Sequence, residues 1–176
     1  MKKSVLLLFF AGCVATSIFG IGRKIPMNRV NDLGQREGYW RDSLGEGITH
    51  ELYYKGGKKD GLYKRFYRNK LFLFGEYTAD NMSGTWYMFG DEGELRCTID
   101  SIELNKDSIY TGYCRIFCKY KCYCADYYPS GAVKSEGYMV CDEDFMVDFW
   151  EIGEWKYYDE SGNLIKTKDY GDRRTP

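Results

Sequence analysis

The stretch GTWYMF at residues 84–89 recurs later in the chain as GEWKYY at residues 153–158. In both copies a tryptophan follows the first glycine by two residues, an aromatic residue by five, a second glycine by nine and a leucine by eleven. The later positions are Gly93 and Leu95 in one copy, and Gly162 and Leu164 in the other. Two copies that agree at every one of these positions indicate an internal repeat.

The same frame fits three further places in the chain less completely. These copies start at residues 38, 61 and 122, so that the sequence contains five units with the starts at 84 and 153. The starts at 38, 61 and 84 lie 23 residues apart. The gaps from 84 to 122 and from 122 to 153 are longer, which predicts insertions near residues 96–121 and 139–152. The repeat aromatics are Trp40, Tyr63, Trp86 and Trp155 two residues after a start, and Tyr54, Tyr77 and Tyr138 sixteen residues after a start.

Each unit has the composition of a β-hairpin. The run 155–158 is rich in strand-forming residues, the run 159–163 is rich in turn residues, and residues 164–168 return as a second strand. Because a single hairpin is marginal in water, neighbouring hairpins must stack to bury their aromatic side chains. The sequence therefore predicts an all-β domain over residues 38–172, in which tandem hairpins form an elongated, twisted antiparallel sheet.

The alternation of side chains along a strand adds one expectation about the two faces of this sheet. Aromatic residues two and five positions after a start differ in parity, so on regular strands they point to opposite faces. The rings at the fifth position are Phe66, Phe89, Tyr127 and Tyr158. We therefore expect aromatic side chains on both faces, with a structural or a binding role for the repeat aromatics.

The units resemble the bacterial variant of the MORN repeat, which reads approximately Gly-x-Trp-x-x-Tyr, a glycine turn, a leucine, a later Gly-x-Tyr and a Gly-Lys-Lys-Asp-Gly connection. Here that connection is GKKDG at residues 57–61, and the best-matching units are residues 127–138 and 155–165. The resemblance implies a protein-interaction or scaffold module, and some bacterial members are labelled as antitoxins. It implies no catalytic residue.

Composition excludes several classes of protein. Aromatic residues make up 18% of the chain and prolines number only 3, which excludes disorder caused by low hydrophobicity. The formal net charge of −1 supplies no long-range attraction for nucleic acid. His50 is the single histidine, and sequence motifs for a serine nucleophile, a phosphate loop or a metalloprotease helix are absent. We expect a non-enzymatic protein without a cofactor.

The N-terminus reads as an export signal over residues 1–22, with two lysines followed by an apolar run. Residues 10–13 resemble a lipobox, which would make Cys13 the lipidated N-terminus of a lipoprotein. Cleavage nearer residues 15–22 by an ordinary signal peptidase and an uncleaved membrane anchor are the alternatives. All three place the body of the protein outside the cytoplasm, in the cell envelope or secreted. Residues 23–37 carry Pro26 and four basic residues without periodicity, which is typical of a tether.

Six further cysteines lie between residues 97 and 141, namely Cys97, Cys114, Cys118, Cys122, Cys124 and Cys141. Export and an even number favour disulfides, although Cys122 and Cys124 are too close along a strand to bond each other. Free buried thiols and a metal site are the alternatives, and the spacings are not those of zinc knuckles, so we expect no metal. The parity of residues 114, 118, 122 and 124 predicts that these four cysteines share one face of a strand.

Two functions of different classes fit these observations. The first is a cell-envelope repeat protein that binds another protein or an envelope component along its sheet and reaches the membrane through its N-terminus. The second is glycan binding by aromatic side chains exposed on one sheet face. An antitoxin-like protein that binds a partner, and a hydrolase that uses residues 142–148 with His50, are weaker alternatives.

Overall fold

The computed structural model describes residues 26–106, 118–142 and 149–171. Within these residues the chain forms eleven β-strands. The strands are β1 (Arg29–Val30), β2 (Arg36–Gly45), β3 (Ile48–Lys55), β4 (Lys58–Tyr67), β5 (Lys70–Thr78), β6 (Asn81–Phe89), β7 (Leu95–Leu104), β8 (Tyr120–Tyr127), β9 (Val133–Cys141), β10 (Phe149–Tyr158) and β11 (Leu164–Asp169).

The strands form one open antiparallel sheet in which spatial order follows chain order from β1 to β11. Each repeat unit is one hairpin: β2–β3, β4–β5, β6–β7, β8–β9 and β10–β11. The predicted all-β architecture of tandem hairpins in an antiparallel sheet is therefore confirmed. No helix in the described part of the chain has the length and apolar character needed to cross a membrane.

The turns inside the hairpins explain the glycine nine residues after a start. In the last three units the backbone closes a longer turn, in which Gly90, Tyr128 and Asp159 donate their N–H groups to the carbonyls of Glu94, Ala132 and Asn163. The glycines of these turns, at residues 93, 131 and 162, have φ of 86°, 86° and 83°. The first two units instead use two-residue turns at residues 46–47 and 68–69, with positive φ at both positions, as tight hairpins require.

The glycine at the start of a unit forms a β-bulge. Residues 84–86 of β6 face the single residue Gly75 of β5, and residues 153–155 of β10 face only Gly137 of β9. Gly84 and Gly153 take the positive φ that the bulge needs, at 64° and 61°. In both places the indole of the unit then lies directly on the backbone of the facing glycine, where a Cβ atom would overlap the ring.

The unit that starts at Cys122 moves its bulge to the other strand. There Ser101 and Ile102 of β7 together face Cys122 of β8. Ser101 takes the positive φ, at 51°, which a side chain adopts less readily than glycine does. The bulge thus persists in this unit although its glycine is missing, and it persists at the cost of backbone strain on the neighbouring strand.

One face of the sheet carries the core, which we call the core face. Its buried residues form a single cluster from β3 to β10, made of Leu52, Tyr63, Leu73, Tyr77, Met82, Trp86, Cys97, Ile99, Tyr120, Cys122, Cys124, Met139, Cys141 and Trp155. Burying one such aromatic side chain stabilises the fold by a few kcal/mol, at roughly 25 cal/mol per Å². The main core therefore lies on one face, with each ring packed on side chains and backbone of the same sheet.

The strands differ from the predicted segment boundaries in two ways. The described residues of the two expected insertions are largely strand, since β7 extends to Leu104, β9 extends to Cys141, and β10 begins at Phe149 opposite Cys141. The expected tether over residues 23–37 contributes β1, and Asn28 bonds the backbone of Arg41 through both atoms of its amide. A polar, aperiodic segment can thus cover a sheet edge, because asparagine side chains supply the edge hydrogen bonds.

We expect the substitution Gly75→Ala to destabilise the protein by about 1–3 kcal/mol, because the added methyl group must displace the Trp86 ring. Gly90→Ala is the matched control, since there the added Cβ meets only the carboxylate end of the Glu94 side chain, which can move away. Urea unfolding of the two variants measures the difference. Equal free energies of unfolding would contradict the close packing of Trp86 on Gly75.

A second pair of substitutions tests the same contact by replacing Trp86 and Gly75 with the residues that a neighbouring unit has at these two positions. In the preceding unit the corresponding ring is Tyr63, and the residue that faces it on the neighbouring strand is Leu52 instead of a glycine. Gly75→Leu alone should therefore destabilise strongly, and adding Trp86→Tyr should recover part of the lost free energy of unfolding. A double-mutant cycle gives the coupling, and additive effects of the two substitutions would show that the two residues do not pack together.

Candidate functional site

The sheet face opposite the core, which we call the open face, carries three pairs of aromatic rings in contact, two of them tilted and one edge-on. Each pair joins residues that face each other directly on neighbouring antiparallel strands. The pairs are Tyr39 with Tyr53, Phe74 with Tyr87, and Tyr123 with Tyr138, at ring-centroid distances of 5.5, 6.1 and 5.2 Å. They extend from β2 to β9, over most of the sheet.

Strand alternation places these rings opposite the core. Tyr39 precedes Trp40, Tyr87 follows Trp86, and Tyr123 lies between Cys122 and Cys124. Because consecutive side chains on a strand point to opposite faces, a ring next to a core residue points away from the core. The expectation of aromatic side chains on both faces is met, and part of this second face is covered, because Cys118, Val140 and Ile152 are buried there.

Several apolar side chains on this face reach solvent. Tyr53 is 39% exposed, Tyr138 46% and Leu62 49%. The other four members of the three pairs are half-buried, namely Tyr39, Phe74, Tyr87 and Tyr123. The fifth-position rings are half-buried as well, namely Phe66, Phe89, Tyr127 and Tyr158. The open face therefore presents exposed apolar side chains at two places, near β3–β4 and on β9, with half-buried rings between them.

Charged groups lie between the aromatic pairs on the open face. Arg41 and Glu51 face each other beside the Tyr39–Tyr53 pair, with Nε and Oε1 3.8 Å apart. Farther along the sheet, the hydroxyl of Tyr158 donates a hydrogen bond to Oε1 of Glu136 at 2.6 Å. The face therefore offers flat rings together with carboxylate and guanidinium groups at defined places, which suits a partner that is partly apolar and partly polar.

Two tyrosines of the open face, Tyr39 and Tyr123, have raised pKa values. Burial, followed by a hydrogen bond to Glu51, raises the pKa of Tyr39 to about 12. Burial, followed by a hydrogen bond to Glu136, raises the pKa of Tyr123 to about 12. Both phenols are neutral donors at physiological pH, with carboxylates as their acceptors.

These pKa shifts predict a loss of stability in strong base. A pKa that is higher in the folded than in the unfolded protein adds stability below the unfolded value of about 10, and this contribution disappears as the pH rises through about 12. Urea unfolding at a series of alkaline pH values measures the decline. The double variant Tyr39→Phe, Tyr123→Phe should show a shallower decline, and an unchanged slope would contradict the two hydrogen bonds.

The structure separates the repeat aromatics into three groups. Tyr63, Tyr77, Trp86 and Trp155 are buried in the core face. Trp40 and Tyr54 are half-buried at its N-terminal end, where the Arg36 guanidinium lies 4.3 Å from the Trp40 ring centroid and 5.2 Å from that of Tyr54. Tyr138 lies on the open face instead, and Met139 occupies the core position that Tyr77 has in its own unit.

The displacement of Tyr138 has its cause in the hairpin turn. In the unit of Tyr63, the residue that faces this ring across the hairpin is Gly75, 12 residues later. In the longer hairpins the facing residue comes 13 residues later, at Ile99 for Trp86 and at Lys168 for Trp155. A fixed spacing of sixteen residues therefore fails after the turn of the last three units. The corrected spacing finds Tyr170, whose ring contacts that of Trp155 edge-on at a centroid distance of 6.4 Å and which the spacing of sixteen missed.

The cysteines divide between the two faces. Cys97, Cys122, Cys124 and Cys141 lie in the core, whereas Cys118 packs on the other side with Val140 and Ile152. The expected common face of Cys118 with Cys122 and Cys124 is therefore wrong, because β8 begins at Tyr120 and strand alternation does not extend back to Cys118. Cys13 and Cys114 lie outside the described residues.

Four of the five described cysteines, namely Cys97, Cys124, Cys122 and Cys141, are free thiols that form two close pairs. The Sγ atoms of Cys97 and Cys124 are 3.3 Å apart, and those of Cys122 and Cys141 are 3.6 Å apart. The hydrogen bond with Cys97, followed by burial, raises the pKa of Cys124, and Cys141 and burial act in the same way on the pKa of Cys122. Disulfide formation at these sites stays a prediction.

His50 lies at the N-terminal end of the core face. Its Nε2 atom is 3.4 Å from Oδ2 of Asp42, an oxygen that also accepts a hydrogen bond from Arg36 Nη1 at 2.9 Å. The His50 ring packs edge-on against Tyr63 at 5.9 Å. These contacts favour a structural role for His50, which packs at the N-terminal end of the core, over a catalytic one. Residues 143–148, which the hydrolase alternative also needs, lie outside the described residues.

No protein-family model, curated protein or solved structure matches this chain. The resemblance to the MORN variant therefore rests on the repeat residues themselves.

Proposed function

We propose that this chain is a non-enzymatic repeat protein of the cell envelope that serves as a protein-interaction or scaffold module. The observation that carries the proposal is the open face with its three aromatic pairs, which span eight strands of a sheet that buries its core on the other side. A sheet that presents rings in register at several strands is suited to hold a partner along its length.

The composition of the open face supports a protein partner in particular. Tyrosine is enriched at protein interfaces because it combines a large apolar ring with a hydroxyl group and few rotatable bonds. The open face adds to its tyrosines the Arg41–Glu51 pair, which can fix the orientation of a partner. The proposed envelope location, through lipidation at Cys13 or an ordinary export signal, is supported by the sequence of residues 1–22.

Site-specific photo-crosslinking in the native host tests the proposal. A photoreactive phenylalanine placed at Tyr53 or Tyr138 should yield a defined protein conjugate on illumination. Tyr67 is the matched control, because it has the same 39% exposure as Tyr53 but lies at the end of β4 next to its turn, outside the three pairs. Conjugates that form equally from position 67, or at none of the three positions, would contradict a protein-binding open face.

Glycan binding is the second candidate, and the exposure of Tyr53 and Tyr138 on one face favours it. Sugar rings stack on exposed aromatic faces, and neighbouring charged groups accept or donate their hydroxyl hydrogen bonds. A glycan array probed with the purified chain separates the two candidates, since the glycan hypothesis expects a signal that Tyr53→Ser and Tyr138→Ser remove and Tyr67→Ser preserves. An antitoxin-like role is supported only by the sequence resemblance.

A further inference from the structure

A cavity of about 310 Å³ opens into the core face between β6 and β10. Its wall includes Met88, Cys97, Cys124, Asp126, Met139 and Trp155. Cys124 stands two residues after the start of its unit, where the other four units have tryptophan or tyrosine. The cavity thus occupies a place in the repeat where a small thiol replaces a ring.

Three metal-binding groups converge on this cavity from two neighbouring strands. The Sγ atoms of Cys97 and Cys124 and a carboxylate oxygen of Asp126 all lie within 4.8 Å of one another. Within the described part of the chain, this is the one set of three such donor atoms at this distance. Two thiols and a carboxylate form a donor set that zinc accepts.

The strand register disfavours a disulfide between the two thiols. Cys97 faces Asp126, and Cys124 faces Ile99, so the two cysteines are diagonal neighbours on β7 and β8. Diagonal neighbours are about 7–8 Å apart, beyond the roughly 4.4–6.8 Å between the Cα atoms of a disulfide.

We propose that Cys97, Cys124 and Asp126 bind one zinc ion, with the fourth coordination position directed into the cavity. Binding converts two thiols to thiolates, and the two protons leave to solvent. Ser135 is a positioning residue in this site: its hydroxyl donates a hydrogen bond to Oδ2 of Asp126 at 2.9 Å, which orients the carboxylate and leaves its other oxygen for the metal.

The second thiol pair supplies a control within the same core. Cys122 and Cys141 are also buried and diagonal, with their sulfurs 3.6 Å apart, but no carboxylate of the described residues completes a set of three donor atoms with them. Removing one of these thiols perturbs the core to a similar degree as removing Cys97. Loss of metal binding can thereby be separated from a general effect of losing a buried thiol.

Titration of the reduced, metal-free full chain with Co²⁺, followed by displacement with Zn²⁺, tests the proposal. We expect one Co²⁺ per chain with thiolate-to-cobalt charge-transfer absorption, which Zn²⁺ abolishes. Cys97→Ser and Cys124→Ser should lose this absorption, whereas Cys141→Ser should bind as the parent chain does. Asp126→Asn retains the shape of the side chain but removes its charge, and it should weaken binding by at least the roughly 10-fold that loss of an outer-shell partner costs.

Circular dichroism of each variant establishes whether it is folded before its binding is compared. If Cys97→Ser or Cys124→Ser does not fold, the parent chain and Asp126→Asn still decide the outcome through their absorption and affinity. The proposal is overturned if the folded parent chain shows no saturable binding, or if the double variant Cys97→Ser, Cys124→Ser binds like the parent. A Cys97–Cys124 disulfide in protein isolated from its native compartment would overturn it as well.

Discussion

The packing of an aromatic ring on the backbone of the neighbouring strand is the contact on which the rest of this structure depends. A single sheet has no second layer to cover its core, so each unit must cover the strand before it. The bulge at Gly84 places the Trp86 indole over the preceding strand, where Gly75 leaves space for the ring. The bulge at Gly153 places the Trp155 indole over Gly137 in the same way. Repetition of this contact gives a continuous core on one face.

Much of this arrangement follows from the sequence, because strand alternation and turn chemistry are local. The position of Trp86 and Trp155, the hairpin of each unit and the glycine turns could all be predicted from spacing. Tyr138 could not be placed, because a turn longer by one residue reverses the face of every side chain after it. Cys118 was misplaced for a related reason, since the limits of a strand depend on partners that are distant in sequence.

The sites could be predicted only in part. The rings at the fifth position pointed to a second aromatic face, but their cross-strand partners depend on register, which no local pattern supplies. The meeting of Cys97 with Cys124 and Asp126 likewise requires the pairing of β7 with β8 across the segment 105–119. The two faces thus differ in role: the core face holds the main core and the four paired cysteines, and the open face presents tyrosines.

The central claim, that rings of the repeat lie on facing glycines in a one-sided core, is most directly tested by NMR chemical shifts of glycine α-protons. The ring currents of Trp86 and Trp155 should shift the α-protons of Gly75 and Gly137 strongly upfield, with nuclear Overhauser contacts to the indoles. The turn glycines Gly93 and Gly131, which no such ring covers, should keep ordinary shifts. Unshifted α-protons at Gly75 and Gly137 in the folded protein would contradict the account.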